Sequence, residues 1–361
     1  MKSVLRTAVL VWFAASTVSA EETVYVYNWA DYIDVSLLEK FTDETGIEVV
    51  YDNFDSNDLL ETKMLAGNSG YDVVFPSGSF LQRQIEAGVF QPLDMDLLPN
   101  SIHLWNIIQE RTATFDPENK YSVNYMWGST GIAVNVGKVR EALGNDVPLN
   151  TMGLLFNPEY VSKLAECGVN FLDAPSELVP AALTYIGEDP NSQDADVIAK
   201  AEPVLSAVRP YIKKFNSTGY ITDLATGEVC VSIAWSGDAL QARDRAAEAN
   251  NGIEIQYGAF LEGSAMWFDQ IAVPSDAPNP EAAHKFINFL MEPENTAAIS
   301  NFVWYANGNL ASQEFLNPEI LNDPGLYPSE EELGNLYMKS PWDSETQRLV
   351  TRMWTRVKSG L

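Results

Sequence analysis

Apolar and polar positions alternate over Thr23-Val24-Tyr25-Val26-Tyr27, the period-two signature of a β-strand. From Asp34 the period lengthens, and Leu37, Leu38 and Phe41 recur at helical spacing. The same change repeats along the next hundred residues. The pattern predicts a strand over 48–52 and a helix over 57–66 with Leu59, Leu60 and Met64 on its apolar side. A short apolar strand over 72–75 and a helix over 80–87 follow. Strand, helix, strand, helix, strand is the order of a mainly parallel sheet in an α/β protein.

Residues 125–135 form a strand-like passage with two glycines, Gly128 and Gly131, that reads as a crossover into a second lobe. That lobe is predicted to contain a helix over 138–143, a strand over 169–173 and a helix running to Tyr185. Helical pieces over 203–215 and 220–226 come next, then a strand over 228–235. Residues 250–257 read as the return crossing, and 263–274 as a further strand with an acid inside it. Helices are predicted over 280–291 and 293–301, an aromatic turn over 302–306, and tail helices over 330–339 and 345–358. Two crossings and a return imply discontinuous lobes around a hinge: 21–127 and 251–304 for the first, 128–250 and 305–361 for the second.

The first 20 residues belong to a different category. Lys2 and Arg6 precede an apolar run from Ala8 to Ala15, and Val18-Ser19-Ala20 fits a small-x-small cleavage site, so 1–20 reads as a secretory signal peptide. The run is too short for a membrane span, no later run qualifies, and no cysteine near the cleavage site can carry a lipid. The expectation is a soluble, exported protein that inserts into no membrane. Cleavage leaves 341 of the 361 residues, more than one core usually holds, which again favours two lobes.

Charge narrows the partners. The formal net charge of −28 becomes about −30 once Lys2 and Arg6 are removed. A chain this acidic repels nucleic acid and anionic membranes and attracts small cations. The two cysteines, Cys167 and Cys230, suggest one disulfide in an exported protein. On the chain-entropy model a loop of that length stabilises by roughly 4 kcal/mol.

The candidate chemistry lies at strand ends. Tyr27-Asn28-Trp29-Ala30-Asp31-Tyr32 places a tryptophan two residues before a carboxylate at a strand's carboxyl end, where α/β proteins form their crevices. Trp235 and Asp238 repeat the pairing, as do Trp267 and Asp269. Glu177 follows another strand end, Tyr305 sits in an aromatic turn, and Ser77 either caps a helix or offers its oxygen to a ligand. Carboxylates take ammonium groups through charge-assisted hydrogen bonds, while aromatic faces cover methylenes and attract cations. An elongated diamine needs both. Against this stands the reading of Trp29 as core and Asp31 as a helix cap.

Signs of catalysis are sparse. His103 and His284 lie far apart, each in a helical context, and the chain has no G-x-S-x-G, H-E-x-x-H, Walker or dinucleotide motif. Neither a metal site nor a cofactor is expected. The enzyme alternative is a carboxylate-pair glycosidase, since sugars also stack on tryptophan. The other alternative is a receptor of the same fold for a different small organic cation, such as an opine-like amine.

Further stretches complete a pattern: Phe54-Asp55-Ser56-Asn57, Tyr71-Asp72-Val73-Val74-Phe75-Pro76-Ser77, Gly88-Val89-Phe90-Gln91-Pro92-Leu93-Asp94, Phe171-Leu172-Asp173-Ala174-Pro175, Trp235-Ser236-Gly237-Asp238 and Trp304-Tyr305-Ala306-Asn307. With them the chain resembles the polyamine-binding periplasmic proteins of ABC importers, most closely the putrescine-binding branch. The resemblance covers nearly the whole chain after residue 20. It implies a two-lobed periplasmic-binding-protein fold of type II, each lobe a mainly parallel sheet flanked by helices, hinged on two crossing strands.

The resemblance also implies roles. Asp31, Glu177, Asp238 and Asp269 hold ammonium groups. Trp29, Trp235, Trp267 and Tyr305 enclose the methylene chain, and Ser77 accepts a hydrogen bond. Cys167 and Cys230 match the family's bridge. The implied partners are a polyamine, putrescine or spermidine, and an inner-membrane ABC permease, with the receptor a monomer and no enzyme. Two positions depart from the branch. Ala30 stands where relatives often have Ser or Thr. Trp267 stands where putrescine-preferring relatives carry Phe, which leads to the expectation that both polyamines bind.

Overall fold

The structure, a computed structural model, describes residues 22–327 and 336–360. The signal-peptide reading therefore lies outside the described residues. β1 (Thr23–Trp29) pairs in parallel with β2 (Glu48–Phe54) over its whole length and with β3 (Val73–Val74) on its other side. Val24 and Val26 point into a core beneath the sheet, built with Phe41, Phe75, Phe286 and Ile287. The second lobe repeats the scheme. β5 (Val169–Phe171) pairs in parallel with β6 (Lys214–Phe215) and β7 (Val231–Trp235), over a core that includes Phe156, Leu178, Tyr220 and Trp354.

Two long strands join the lobes. β4 (Ser122–Asn135) and β9 (Ser264–Ala272) run antiparallel from Ser122↔Ala272 to Thr130↔Ala265. The far half of β4 pairs with β7, and the far end of β9 meets β3. The resulting order, β2-β1-β3-β9-β4-β7-β5-β6, is one continuous sheet in which every residue of β4 and β9 is buried. Burial on both faces is what near-continuous apolar strands at the centre of a sheet require.

Four details differ from the sequence reading. The return crossing is β9, not 250–257. Ile255–Gly258 instead forms β8, a short, partly exposed strand paired to Ile132–Asn135 within the second lobe. The piece predicted helical over 203–215 breaks earlier: its helix, Ala201–Val208, gives way to a 3₁₀ turn at Arg209–Tyr211 and then to β6. Pro210 explains the break, because it has no N–H to continue the helix.

The tail helix predicted over 330–339 lies partly outside the described residues, and its last part is β11 (Leu336–Met338), paired in parallel with β9 at Ser264–Met266. An open strand edge supplies hydrogen bonds that outweigh a weak helix propensity. Finally, 305–361 does not pack as one unit. β10 (Ala306–Asn307) pairs with Met126 and Trp127 of β4, whereas helix Ser344–Ser359 buries Val350, Met353 and Trp354 in the second lobe. Cys167 and Cys230 are disulfide-bonded, with Cα atoms 5.5 Å apart.

Candidate functional site

The carboxyl ends of β1, β3 and β7 open on one crevice, with β4 and β9 at its base. All nine residues singled out from the sequence line a single cavity of about 550 Å³, including the part open to solvent. That is the size range of small-molecule sites.

Asp269 stands on β9, only 4% exposed. Ser77 Oγ donates to its Oδ1 at 2.5 Å and Tyr32 OH to its Oδ2 at 2.9 Å. Ser77 precedes helix Gly78–Glu86 but makes no side-chain cap; its hydroxyl turns to the carboxylate instead. Asn57 fixes that geometry, donating from Nδ2 to Ser77 Oγ at 2.9 Å and accepting the Ser77 N–H at 3.0 Å. Burial pushes the Asp269 carboxyl up to about 7, against the opposing hydrogen bonds from Ser77 and Tyr32.

Asp238 lies in the first turn of helix Ser236–Glu248, which starts directly after β7. Tyr305 OH donates to Oδ1 at 2.7 Å and Tyr220 OH to Oδ2 at 2.9 Å. Burial raises this carboxyl to about 6, again opposed by its hydroxyl donors. The hydroxyls of Tyr32, Tyr220 and Tyr305 are themselves held well above the ordinary tyrosine value, first by burial and then by the neighbouring carboxylates. They remain protonated donors at any working pH.

Gly237 makes room for this arrangement, since a Cβ there would meet Tyr305 Cδ2 at 2.4 Å. Gly128 of β4 is similarly constrained: its Cβ would lie 2.8 Å from the Trp267 ring.

Glu177 differs from the two aspartates. It lies in the first turn of helix Pro175–Tyr185, where Thr130 Oγ1 donates to its Oε2 at 2.8 Å and Lys339 Nζ donates to its Oε1. Both members of this ion pair are buried. The role that the resemblance implies for Glu177, holding a ligand ammonium, is thus occupied by a cation from the chain itself. Asp31 also departs from a simple ligand. It is exposed, adopts φ 53° at the end of β1, and faces Arg245 across the lobes at 3.9 Å.

The aromatic residues form the walls. Trp29 packs on Phe54 at 4.5 Å and donates its indole N–H to Phe75 O at 2.8 Å. Trp235 meets it edge-on at 6.0 Å, and Trp267 lies 5.4 Å from Tyr305. The Trp267 indole nitrogen has no hydrogen-bond partner among the described residues.

Tyr32, Asn57, Thr130, Tyr220 and Lys339 were not singled out from the sequence. Tyr32 stood inside the first quoted stretch, so it had a local signal. Asn57 likewise closes the quoted stretch Phe54-Asp55-Ser56-Asn57. Thr130, Tyr220 and Lys339 gain their roles from partners 18 to 162 residues away and carry no such signal.

Comparison with known proteins agrees with this architecture. Residues 36–328 match the family described as bacterial extracellular solute-binding protein. The chain is 48% identical to the putrescine-binding periplasmic protein SpuD of Pseudomonas aeruginosa, over 94% of this chain and 92% of that one. It is 45% identical to the putrescine-binding periplasmic protein PotF of Escherichia coli, over 96% and 94%. Among solved structures, the spermidine/putrescine ABC transporter substrate-binding protein PotD of Streptococcus pneumoniae superposes with a TM-score of 0.72 at 27% identity, covering 94% of this chain and 99% of its own. The protein has the type II periplasmic-binding-protein fold and belongs to the bacterial extracellular solute-binding protein family.

Proposed function

We propose that this protein is a periplasmic receptor that captures polyamines and delivers them to an inner-membrane ABC permease, acting as a monomer and without catalysis of its own. The observation that carries this reading is the state of the two aspartates. Asp238 and Asp269 are each oriented by two hydroxyl donors, and neither forms an ion pair among the described residues. A buried carboxylate without a cation is costly. Two ammonium groups joined by an apolar chain supply the missing charges, and the tryptophan and tyrosine faces cover the methylenes between them.

The same inventory orders the ligands. Lys339 already neutralises Glu177, which leaves two carboxylates, buried Asp269 and partly buried Asp238, for two ammonium groups. A diamine such as putrescine matches that count. A triamine such as spermidine binds too, under the cover of the larger Trp267 ring, but its third charge must compete with Lys339 for Glu177. The names of the two Pseudomonas and Escherichia relatives point the same way. A raised carboxyl like that of Asp269 is also what a glycosidase's general acid needs; membership in a solute-binding family favours binding over hydrolysis.

Ligand contacts come from both lobes: Trp29 and Ser77 from the first, Trp235 and Asp238 from the second, Asp269 from the strand between them. The complete set exists only when the lobes are shut, so ligand shifts the population from open to closed. Because three tryptophans line the cavity, intrinsic fluorescence reports occupancy directly. Putrescine should give a saturable one-to-one change, and an uncharged diol of equal length none. A folded protein unresponsive to both putrescine and spermidine would contradict the assignment.

A further inference from the structure

Helix Ser344–Ser359 and the segment leading to it are anchored on the second lobe. Trp342, Val350, Met353 and Trp354 are buried there, and the Trp354 indole N–H donates to Asp173 at 2.8 Å. Asn191 and Gln193 hold the approach: Asn191 accepts the Ser340 N–H at 2.8 Å, and Gln193 donates to Pro341 O at 2.9 Å. The first turn of the helix nevertheless faces the first lobe. Gln347 Nε2 donates to Asp58 Oδ1 at 2.9 Å. Arg83 Nη1 donates to Trp342 O at 3.3 Å and to Gln347 Oε1 at 3.2 Å.

Arg83 is rigidly presented. Its Nη2 donates to Glu61 at 2.6 Å, and its guanidinium lies 4.2 Å from the Phe80 ring centre, both partners being in the first lobe. Asp58 and Arg83 stand on helices Asn57–Leu65 and Gly78–Glu86. These are the helices that begin at Asn57 and directly after Ser77, the pair that orients Asp269. The lobe-to-lobe contact and the ligand's carboxylate nest therefore share two rigid elements, while none of Asp58, Arg83 and Gln347 lines the ligand cavity.

We propose that Asp58, Arg83 and Gln347 form an interlobe clasp that holds the closed receptor shut and sets how long the ligand stays, without touching it. The inference rests on the receptor reading above. These hydrogen bonds exist only when the lobes meet, so they stabilise the closed state alone and enter ligand affinity through its population. The Asp31–Arg245 pair also bridges the lobes, but at 3.9 Å between two well-exposed side chains it contributes little by comparison. The clasp is half-buried and uses charged donors and acceptors, which makes its hydrogen bonds stronger.

The test is stopped-flow putrescine binding to wild type, Gln347→Ala and Arg83→Met. The clasp predicts dissociation faster by about tenfold in each variant, from the loss of one or two charge-assisted bonds, with association within about twofold of wild type. The melting temperature of ligand-free Gln347→Ala should match wild type, which separates a clasp from a general structural role. Wild-type binding with unchanged dissociation in both variants would overturn the clasp alone. Equal slowing of association and loss of stability would assign these residues to folding and overturn it as well. Absence of binding by wild type would overturn the receptor reading, and the clasp's role with it.

Discussion

On the proposed reading Asp238 and Asp269 take the ligand's charge, and their surroundings predict measurable behaviour. Asp238→Asn removes the charge that Tyr220 and Tyr305 orient, and should weaken putrescine binding by about 2 kcal/mol or more, read as a shift in Kd. The ligand-free variant should melt no lower than wild type, since a buried uncompensated carboxylate is itself destabilising. Both carboxyls are raised by burial, to about 6 and about 7, so the folded chain holds more protons than the unfolded one between about pH 4 and about pH 7. The resulting stability is fully present below the unfolded carboxyl value and is lost as pH rises through about 6 and then about 7. Thermal melts of ligand-free protein across this window should show that decline, and Asp269→Asn should remove its upper part. Lys339→Met keeps the volume but frees Glu177, so it should raise affinity for spermidine relative to putrescine in competitive titration. The acid and tryptophan pairs of this site were legible because each of these acids follows its tryptophan by two or three residues, at a predicted strand end for Asp31 and Asp238 and within the strand itself for Asp269. Lys339 was not, since its meeting with Glu177 depends on where a distant strand docks.

The elements explain the rest of what sequence could and could not reveal. Most strands and helices of the first lobe follow from hydrophobic period, but not all. Leu59, read onto the apolar side of its helix, is exposed while Leu60 and Met64 are buried, and the short helix Asn106–Thr112 has no clear period to announce it. β8 and β9 are harder to distinguish by period; the deciding feature is burial on both faces, which marks β9 as the crossing strand. β11 was hidden for another reason: its conformation is set by the edge of β9, not by its own residues. Where a helix starts can matter as much as where a strand ends. Gly237 lets the Tyr305 ring lie against the first turn of its helix, and the Asp238 N–H donates to the Tyr305 hydroxyl at 3.1 Å. Gly237→Ala should displace Tyr305, lower affinity by at least as much as Tyr305→Phe, and leave far-ultraviolet dichroism unchanged. Equal binding by wild type and Gly237→Ala would show that this close approach is dispensable.

At the scale of the molecule, two lobes share one sheet through β4 and β9 and both line one cavity, which the proposed function reads as a cation cage. On the proposed reading the strong negative charge draws small cations toward the cleft, and Asp238 and Asp269, which form no ion pair among the described residues, select those with two positive ends. The most direct test is calorimetric titration of the protein, unfolded and refolded to remove carried ligand, with putrescine and then spermidine. One-to-one binding of both is predicted, with proton release near neutral pH as the ligand ionises Asp269, and with putrescine favoured by the count of free carboxylates. No heat with either polyamine, from protein shown to be folded, would contradict a polyamine receptor and return the cleft to other amines or sugars.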